Sequence, residues 1–318
     1  MVKTARRRGD DAVRGPGGVL VLGAASWNRM IHVETLPQGA SATIFDARET
    51  QGAGSTGVGK AMGLAALGYQ PTLHCALGRD DHGAQVIAAC AGRGISLIVD
   101  EHDAATPHHL NIMDQLGGRY SLFLSNGAPD PPINEPRIAE QIAAADTIFL
   151  SLCASSKKIL HLLEGARAEI LLDLHDYDGA NPWYEDFIAC ADVIQLSDVA
   201  VADPGAVARR LLSGRAHQVV VTKAGKGAEI VTADTSIDVP PCPADMVDSN
   251  GAGDAFSVAL WHAQRTGQSG LDAGGFAAAA AACAIESADL FPVNVSAADI
   301  AGRVRAHPQD HSTGTASR

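Results

Sequence analysis

At 318 residues the chain is long enough to bury an ample core, and 46% apolar, 19% charged and 4% aromatic residues with 33 glycines describe a folded, enzyme-sized body rather than a disordered polymer. Lys and Arg number 24 against 36 Asp and Glu, a formal net charge of -12, so the field of the whole chain repels nucleic acid and anionic membranes and neither is expected as a partner. The 6 cysteines are dispersed without a C-x-x-C pair, which argues against a disulfide framework or a zinc site and implies free thiols in a reducing cytoplasm.

Residues 1–18 carry Lys3, Arg6, Arg7, Arg8 and Arg14 among Gly, Pro and Asp and read as a disordered basic tail. The run VLVLGA (19–24) is too short for a secretory segment and reads as a first buried strand. PTLHCAL (71–77), DTIFLSL (146–152), EILLDL (169–174), DVIQL (192–196) and QVVVTK (218–223) follow as strands, with helical periodicity between many of them, over 57–67, 82–92, 155–165 and 204–213. Strands apolar on both faces belong inside a covered sheet, so the core is expected to be a mostly parallel α/β sandwich.

Two segments break the rhythm. Residues 29–50 and 108–125 contain alternating runs with no helix between them, and Gly117-Gly118 suits a hairpin turn. They are expected to form a small β layer off the main sheet, a lid whose outer face would suit a homodimer contact. NGAPDPPINEP (126–136) leads back to the body, the chain is mainly helical from Gly251 to about 305, and 306–318 form a flexible tail. The longest apolar stretch, FAAAAAACAI (276–285), is about half of the ~20 residues a membrane span needs.

Two glycine-rich stretches compete as the phosphate site. GSTGVGKA (54–61) nearly fills the P-loop pattern with Gly54, Gly59 and Lys60, but Ala61 lacks the hydroxyl that pattern presents to magnesium, and DARETQGA before it is too polar for a buried strand. DSNGAGDAFSVAL (248–260) places Gly251, Ala252 and Gly253 where a helix starts, so free amides and the positive end of a helix dipole converge there. Asp254 lies in that first turn. An isolated acid there would ordinarily only stabilise the helix; the functional alternative is an acid that takes a proton from a hydroxyl while the amides hold the phosphoryl group.

DSNGAGDAFSVAL resembles the C-terminal motif of the ribokinase-like (PfkB) carbohydrate kinases, D-[ST]-x-G-A-G-D followed by a small-residue helix. The resemblance runs from about 19 to 305. VLVLGAASWNRMIHVETLPQG is similar to the family's opening strand and lid entry, GSTGVGKAMGLAALG falls at its G-G-x-G-x-N helix motif, ALGRDDHG at its G-x-D-x-x-G turn, and VVTKAGKGAEIV at its T-x-G-x-x-G nucleotide loop, with Ala224 for the first glycine. It implies a three-layer α/β/α fold over 19–305 with a mostly parallel central sheet and a small β lid. It also implies transfer of the γ-phosphoryl group of ATP to a hydroxyl of a sugar, nucleoside or related alcohol. Asp254 would be the general base and the amides of Gly251, Ala252, Gly253 and Asp254 the anion hole. Thr222, Gly225, Lys226 and Gly227 would hold the nucleotide, with magnesium bridging its phosphates. Asp248 and Asn250 match the family's contributors to a monovalent-cation site, and equally suit plain turn residues.

The departures lie mostly on the acceptor side. Asn28 stands for a sugar-binding Asp, Ser55 for the second glycine of the G-G pair, Gly59 for the Asn, and Cys153 for an acid at a strand end. With Gly54 these residues would line the acceptor pocket; the missing side chain at Gly59 would leave room for a bulkier acceptor, and Lys60 would simply begin the helix. Ser197 falls where the family has the Asn of a magnesium-organising N-x-x-E motif, with Asp198 or Asp203 as possible substitutes, and Ala278 replaces an Asn near the adenine. The alternative reading is a non-catalytic sugar- or nucleoside-binding or regulatory protein of the same fold.

Overall fold

The elements in chain order are β1 (Gly18–Leu22), β2 (Ser26–His32), β3 (Arg48–Gly54), α1 (Thr56–Ala66), β4 (Thr72–Gly78), α2 (Asp81–Gly92), β5 (Ser96–His102), β6 (His108–Met113), β7 (Arg119–Ser125), α3 (Glu135–Ala144), β8 (Ala145–Ser151), α4 (Ala154–Lys158), β9 (Glu169–Asp173), α5 (Glu185–Cys190), β10 (Val193–Ser197), α6 (Pro204–Leu212), β11 (Gln218–Thr222), β12 (Ala228–Thr232), β13 (Ser236–Val239), α7 (Ala252–Arg265), α8 (Gly270–Ile285) and α9 (Ala297–Ala306). The computed structural model describes residues 18–39, 41, 43–115 and 118–307. The expected N-terminal tail up to residue 17, the C-terminal one from 308, and Gly117 of the expected hairpin turn lie outside the described residues.

The main sheet has 9 strands in the order β13-β12-β11-β10-β9-β8-β1-β4-β5. It is parallel from β11 to β5, and only the β11–β12 and β12–β13 pairings are antiparallel. The alternation that makes its strands apolar on both sides is resolved into two cores. Val19 and Val21 of β1 and Phe149 of β8 pack with Val58 and Leu64 of α1 and with Phe256 and Trp261 of α7. Leu20, Leu22, Ile148 and Leu150 face the other way, onto Ile138 of α3, Phe187 of α5 and Leu211 of α6. Helices on both faces follow from that pattern, and the three-layer expectation holds.

The lid is a 4-stranded sheet in the order β3-β2-β6-β7. Its strands differ from the expected span of 29–50: β2 starts at Ser26 and β3 runs to Gly54, with 33–47 connecting them. The helix expected over 155–165 is the short α4 followed by a single 3-10 turn at Leu160–Leu163. Three strands not expected from the sequence, β5 at one edge of the main sheet and β12 and β13 at the other, are part-exposed and mix acids with apolar residues, and β2 begins three residues ahead of the expected lid segment. Among the described residues no helix is long and apolar enough to cross a membrane.

Candidate active site

Parallel strands leave their carboxyl ends along one edge, and a crevice opens where neighbouring connections leave in opposite directions. Here that edge carries Ala24 after β1, Cys153 after β8, Asp173 of β9, Ser197 of β10 and Thr222 of β11, all lining one cavity of about 1140 Å³ roofed by the lid. Trp27, Asn28, His109, Arg119 and Phe123 line it from the lid side. His108 and His109 face opposite ways, as successive strand residues must: His109 stacks on Phe123 with ring centroids 4.1 Å apart, His108 on His82 at 4.3 Å.

The N-terminus of α7 presents free backbone amides to this cavity. Gly251, the N-cap, has φ 82° and no side chain to cap the helix, so the first amides of α7 are left to the cavity. A Cβ at Gly251 would run into the Leu290 carbonyl, which is why the position needs glycine. Gly251, Gly253 and Asp254 line the cavity; Ala252 starts the helix beside them. Gln195 of β10, a residue the sequence did not single out, holds this turn by donating from Nε2 to the Gly253 carbonyl at 2.9 Å.

Behind Asp254 the structure corrects the reading of Lys60. Far from merely beginning a helix, its side chain is fully buried and its ammonium donates to Asp173 Oδ2 at 2.8 Å and, in a second short contact, to Asp254 Oδ1. Asp173 Oδ1 accepts in turn from the His175 backbone N–H at 3.0 Å. Burial raises the Asp254 carboxyl above its ordinary value; Lys60 opposes the rise without cancelling it, and the neighbouring Asp173 charge adds to it. Burial acts the same way on Asp173, but His175 and Lys60 outweigh it and hold that carboxyl well below the usual range. Burial opposes the charge on Lys60, and the two carboxylates override it, so the ammonium is more firmly protonated than an ordinary lysine.

Gly59 is corrected as well. It does not line the cavity, and a Cβ there would collide with Asp254 Oδ2 and come within 2.9 Å of Asp254 Cγ. The missing side chain therefore admits the Asp254 carboxylate rather than a bulkier acceptor. Gly54, Ser55, Asn28 and Cys153 do meet at the cavity. Ser26 Oγ donates to Asn28 Oδ1 at 2.8 Å and pairs with Ser55 Oγ at 2.7 Å, and a Cβ on Gly54 would strike the Asn28 amide. Cys153 Sγ lies 3.2 Å from Ser155 Oγ and 3.1 Å from Ser156 Oγ.

Ser55, in a glycine's place, has the glycine's backbone: φ 71° and ψ 162°. That region costs a residue with a Cβ about 1–3 kcal/mol. Ser55→Gly is accordingly expected to be more stable than Ser55→Ala by about 1–2 kcal/mol, since both lose the hydroxyl and only glycine relieves the backbone. Denaturant unfolding of the two variants checks this; equal midpoints would remove the strain argument.

On the nucleotide side, Ser197 and Thr222 line the cavity, whereas Gly225, Lys226 and Gly227 do not; they form the adjoining tight turn, with Ala224 at φ 48° and Gly227 at φ 91°. Asp203 is no substitute for a magnesium-organising acid, because its Oδ1 caps α6 by accepting from the Ala206 N–H at 2.8 Å. Asp248 and Asn250 are at the cavity, but the Asn250 side-chain oxygen accepts from the Arg119 guanidinium of the lid and Asp248 Oδ1 from the Asn250 N–H at 2.7 Å. Arg119 thus already engages the Asn250 side-chain oxygen in this structure.

The chain is similar to known phosphotransferases. Acarbose 7(IV)-phosphotransferase of an Actinoplanes species is 32% identical over 247 residues, 75% of this chain and 82% of that protein. A nucleoside kinase of Methanothermobacter thermautotrophicus is 24% identical over 291 residues, 84% of this chain and 89% of its own. Among solved structures, a microbiome-derived acarbose kinase matches with a TM-score of 0.80 at 25% identity, covering 92% of this chain and 100% of its own. Arabidopsis thaliana ribokinase complexed with ribose and ATP matches the fold with a TM-score of 0.75 at 20% identity, over 92% and 99%. Residues 19–291 fit the model of the pfkB family carbohydrate kinases, and the chain belongs to that family of phosphotransferases.

Proposed function

We propose that the protein transfers the γ-phosphoryl group of ATP to a hydroxyl of a sugar-like acceptor of more than one ring, held between the lid and the carboxyl edge of the main sheet. One observation carries the reading: a buried carboxylate, Asp254, sits in the first turn of an uncapped helix whose amides open into the cavity. The amides of Gly251 to Asp254 would hold the phosphoryl oxygens as charge develops on them, and Asp254 would accept the proton of the attacking hydroxyl. The acceptor oxygen then bonds to the γ-phosphorus, and the bond from that phosphorus to the β,γ-bridging oxygen breaks to leave ADP. Thr222, Ser197 and the turn at Gly225, Lys226 and Gly227 would border the nucleotide. Magnesium, carried in with ATP, would neutralise charge on its phosphates; this chain's own part is to orient the two substrates.

Acceptor size is argued from the cavity, which at about 1140 Å³ exceeds the ~300–1000 Å³ of ordinary ligand sites. Trp27 and Phe123 offer apolar faces on which sugar rings can stack. The two acarbose kinases among the relatives point the same way. The test is ADP release in the presence of acarbose, maltotriose, ribose and adenosine in turn. Turnover is expected to be fastest with the multi-ring sugars. Preference for ribose or adenosine would overturn the acceptor assignment, and no acceptor-dependent ADP with any would favour the binding-protein alternative.

The lid also supports a homodimer in the reducing cytoplasm that the free thiols suit. Its edge strand β7 is unpaired on one side in the sheet and exposes Tyr120, Leu122 and Leu124 on the face opposite Phe123, with Ile44 and Phe45 exposed in the β2–β3 connection. A dimeric mass by light scattering is expected, reverting to monomer with charged residues at Leu122 and Leu124; a monomeric wild type would exclude it.

A further inference from the structure

Asp254 has two chemically distinct oxygens in this fold. Oδ1 accepts from the Lys60 ammonium; Oδ2 packs against Gly59, where a Cβ would collide with it. Adjacent residues of α1 thus address the two oxygens in opposite ways, one by donating and one by having no side chain. The ammonium is itself anchored from behind by Asp173, at the end of a different strand.

We propose that Lys60 is a positioning residue for phosphotransfer: anchored by Asp173, its ammonium binds Asp254 at Oδ1, keeps that side chain a carboxylate, and orients it at the cavity wall, where it would take the acceptor's proton. The proposal rests on the reading of Asp254 as the base. Its physical need is plain. A carboxyl taken out of water favours its neutral form, which cannot accept a proton, and the incoming phosphates add like charge that favours it further. A buried cation next to it offsets both. The charged groups around Asp254 are Lys60 from α1 and Asp173 and His175 from the end of β9; Lys60 and His175 favour the carboxylate, while Asp173 opposes it. Protonation of Asp254 during transfer then leaves Lys60 still paired with Asp173, so no ammonium is stranded in the core. Nothing in a P-loop role for Lys60 would produce this arrangement, since its nitrogen is committed to two carboxylates rather than to the cavity.

The opposed influences of Lys60 and Asp173 give a test by sign. In Lys60→Met the acid limb of the kcat/KM profile is expected to move up by about 1–3 pH units. In Asp173→Asn, where Lys60 serves Asp254 alone and the like charge is gone, it is expected to move down. The same midpoints are to be followed by ¹³C NMR of the Asp254 side-chain carboxyl, assigned by its loss in Asp254→Asn, on the full chain without substrate. This second readout needs no turnover, so an inactive wild type would sink the kinase reading while still deciding the Lys60 proposal. Midpoints of Asp254 that stay at the wild-type value in both variants, or shift in the same direction, would overturn it. Should Lys60→Met fail to fold, the downward shift in Asp173→Asn decides alone.

Discussion

Asp254→Asn is expected to lower the acceptor-dependent rate of ADP release by about 10²–10⁴-fold while leaving the fold and ATP binding in place. The amide keeps the size of the carboxylate and can still accept from Lys60 through its oxygen, but it has no basic oxygen to take a proton. The amides of Gly251 and Gly253, and the Gln195 bond that holds them, do not involve the side chain, so the phosphate cradle persists. Stability should change little for a reason specific to this site: with Asp254 neutral, Lys60 and Asp173 remain a complete pair at 2.8 Å. The measurements are initial rates of ADP release with a saturating multi-ring acceptor, ATP affinity by calorimetry, and thermal unfolding. A variant retaining more than about a tenth of the wild-type rate would show that proton transfer to this residue is not part of the mechanism.

What could be read from the chain alone follows from how local each physical demand is. Strands such as β1 and β8 announce themselves because they are apolar on both faces, and each face found its own core. β5 escaped because it is an edge strand, with Asp100 and Glu101 where a central strand would carry apolar residues, and β12 and β13 form a short hairpin at the opposite edge. The glycine turn that opens α7 was legible because glycine at 251 answers a backbone demand visible in sequence, a left-handed residue pressed against a carbonyl. Ser55 and Ala224 make the same point from the other side, since both stand at glycine positions of the motifs the sequence resembles and both have positive φ.

The environment of Asp254 was not legible. Lys60 is 113 residues from Asp173 and 194 from Asp254, and no periodicity reports a contact of that span. One signal was available: α1 has a single charged residue and no polar face, with 57–64 buried throughout. A lysine inside such a helix has to find anions within the core, and Asp173, a lone acid closing the apolar strand EILLD, was the natural partner. Gly59 misled for a related reason. Residue size says how much space a side chain leaves, but only the approach of α1 to α7 says that Asp254 fills it.

Lys60→Ala is expected to cost about 3–5 kcal/mol of stability at neutral pH, a fall in the unfolding midpoint on the order of 10 °C. The loss is not that of one bond. Removing the ammonium leaves two carboxylates in the core that burial already disfavours, and each then repels the other. The pH dependence has a definite sign. In the wild type the folded Asp173 carboxyl lies below its unfolded value, so its contribution is fully present above about pH 3.8 and is lost as pH falls through the folded value. In the variant Asp254, already above its unfolded value, rises further, and Asp173 loses the cation that held it down; buried carboxyls raised in this way stabilise the fold only when protonated, at low pH, and lose that as pH rises. The gap between the two proteins should therefore be widest near neutrality and narrow on acidification. Adding Asp173→Asn to Lys60→Ala should recover part of the loss, because it removes one of the two stranded charges. Urea unfolding at a series of pH values measures all of this, and calorimetry at a temperature where Lys60→Ala is folded supplies the remaining control. If ATP affinity disappeared there while Asp254→Asn still turned over, Lys60 would be a nucleotide ligand after all; unchanged ATP affinity with lowered stability is the outcome its buried ion pairs dictate.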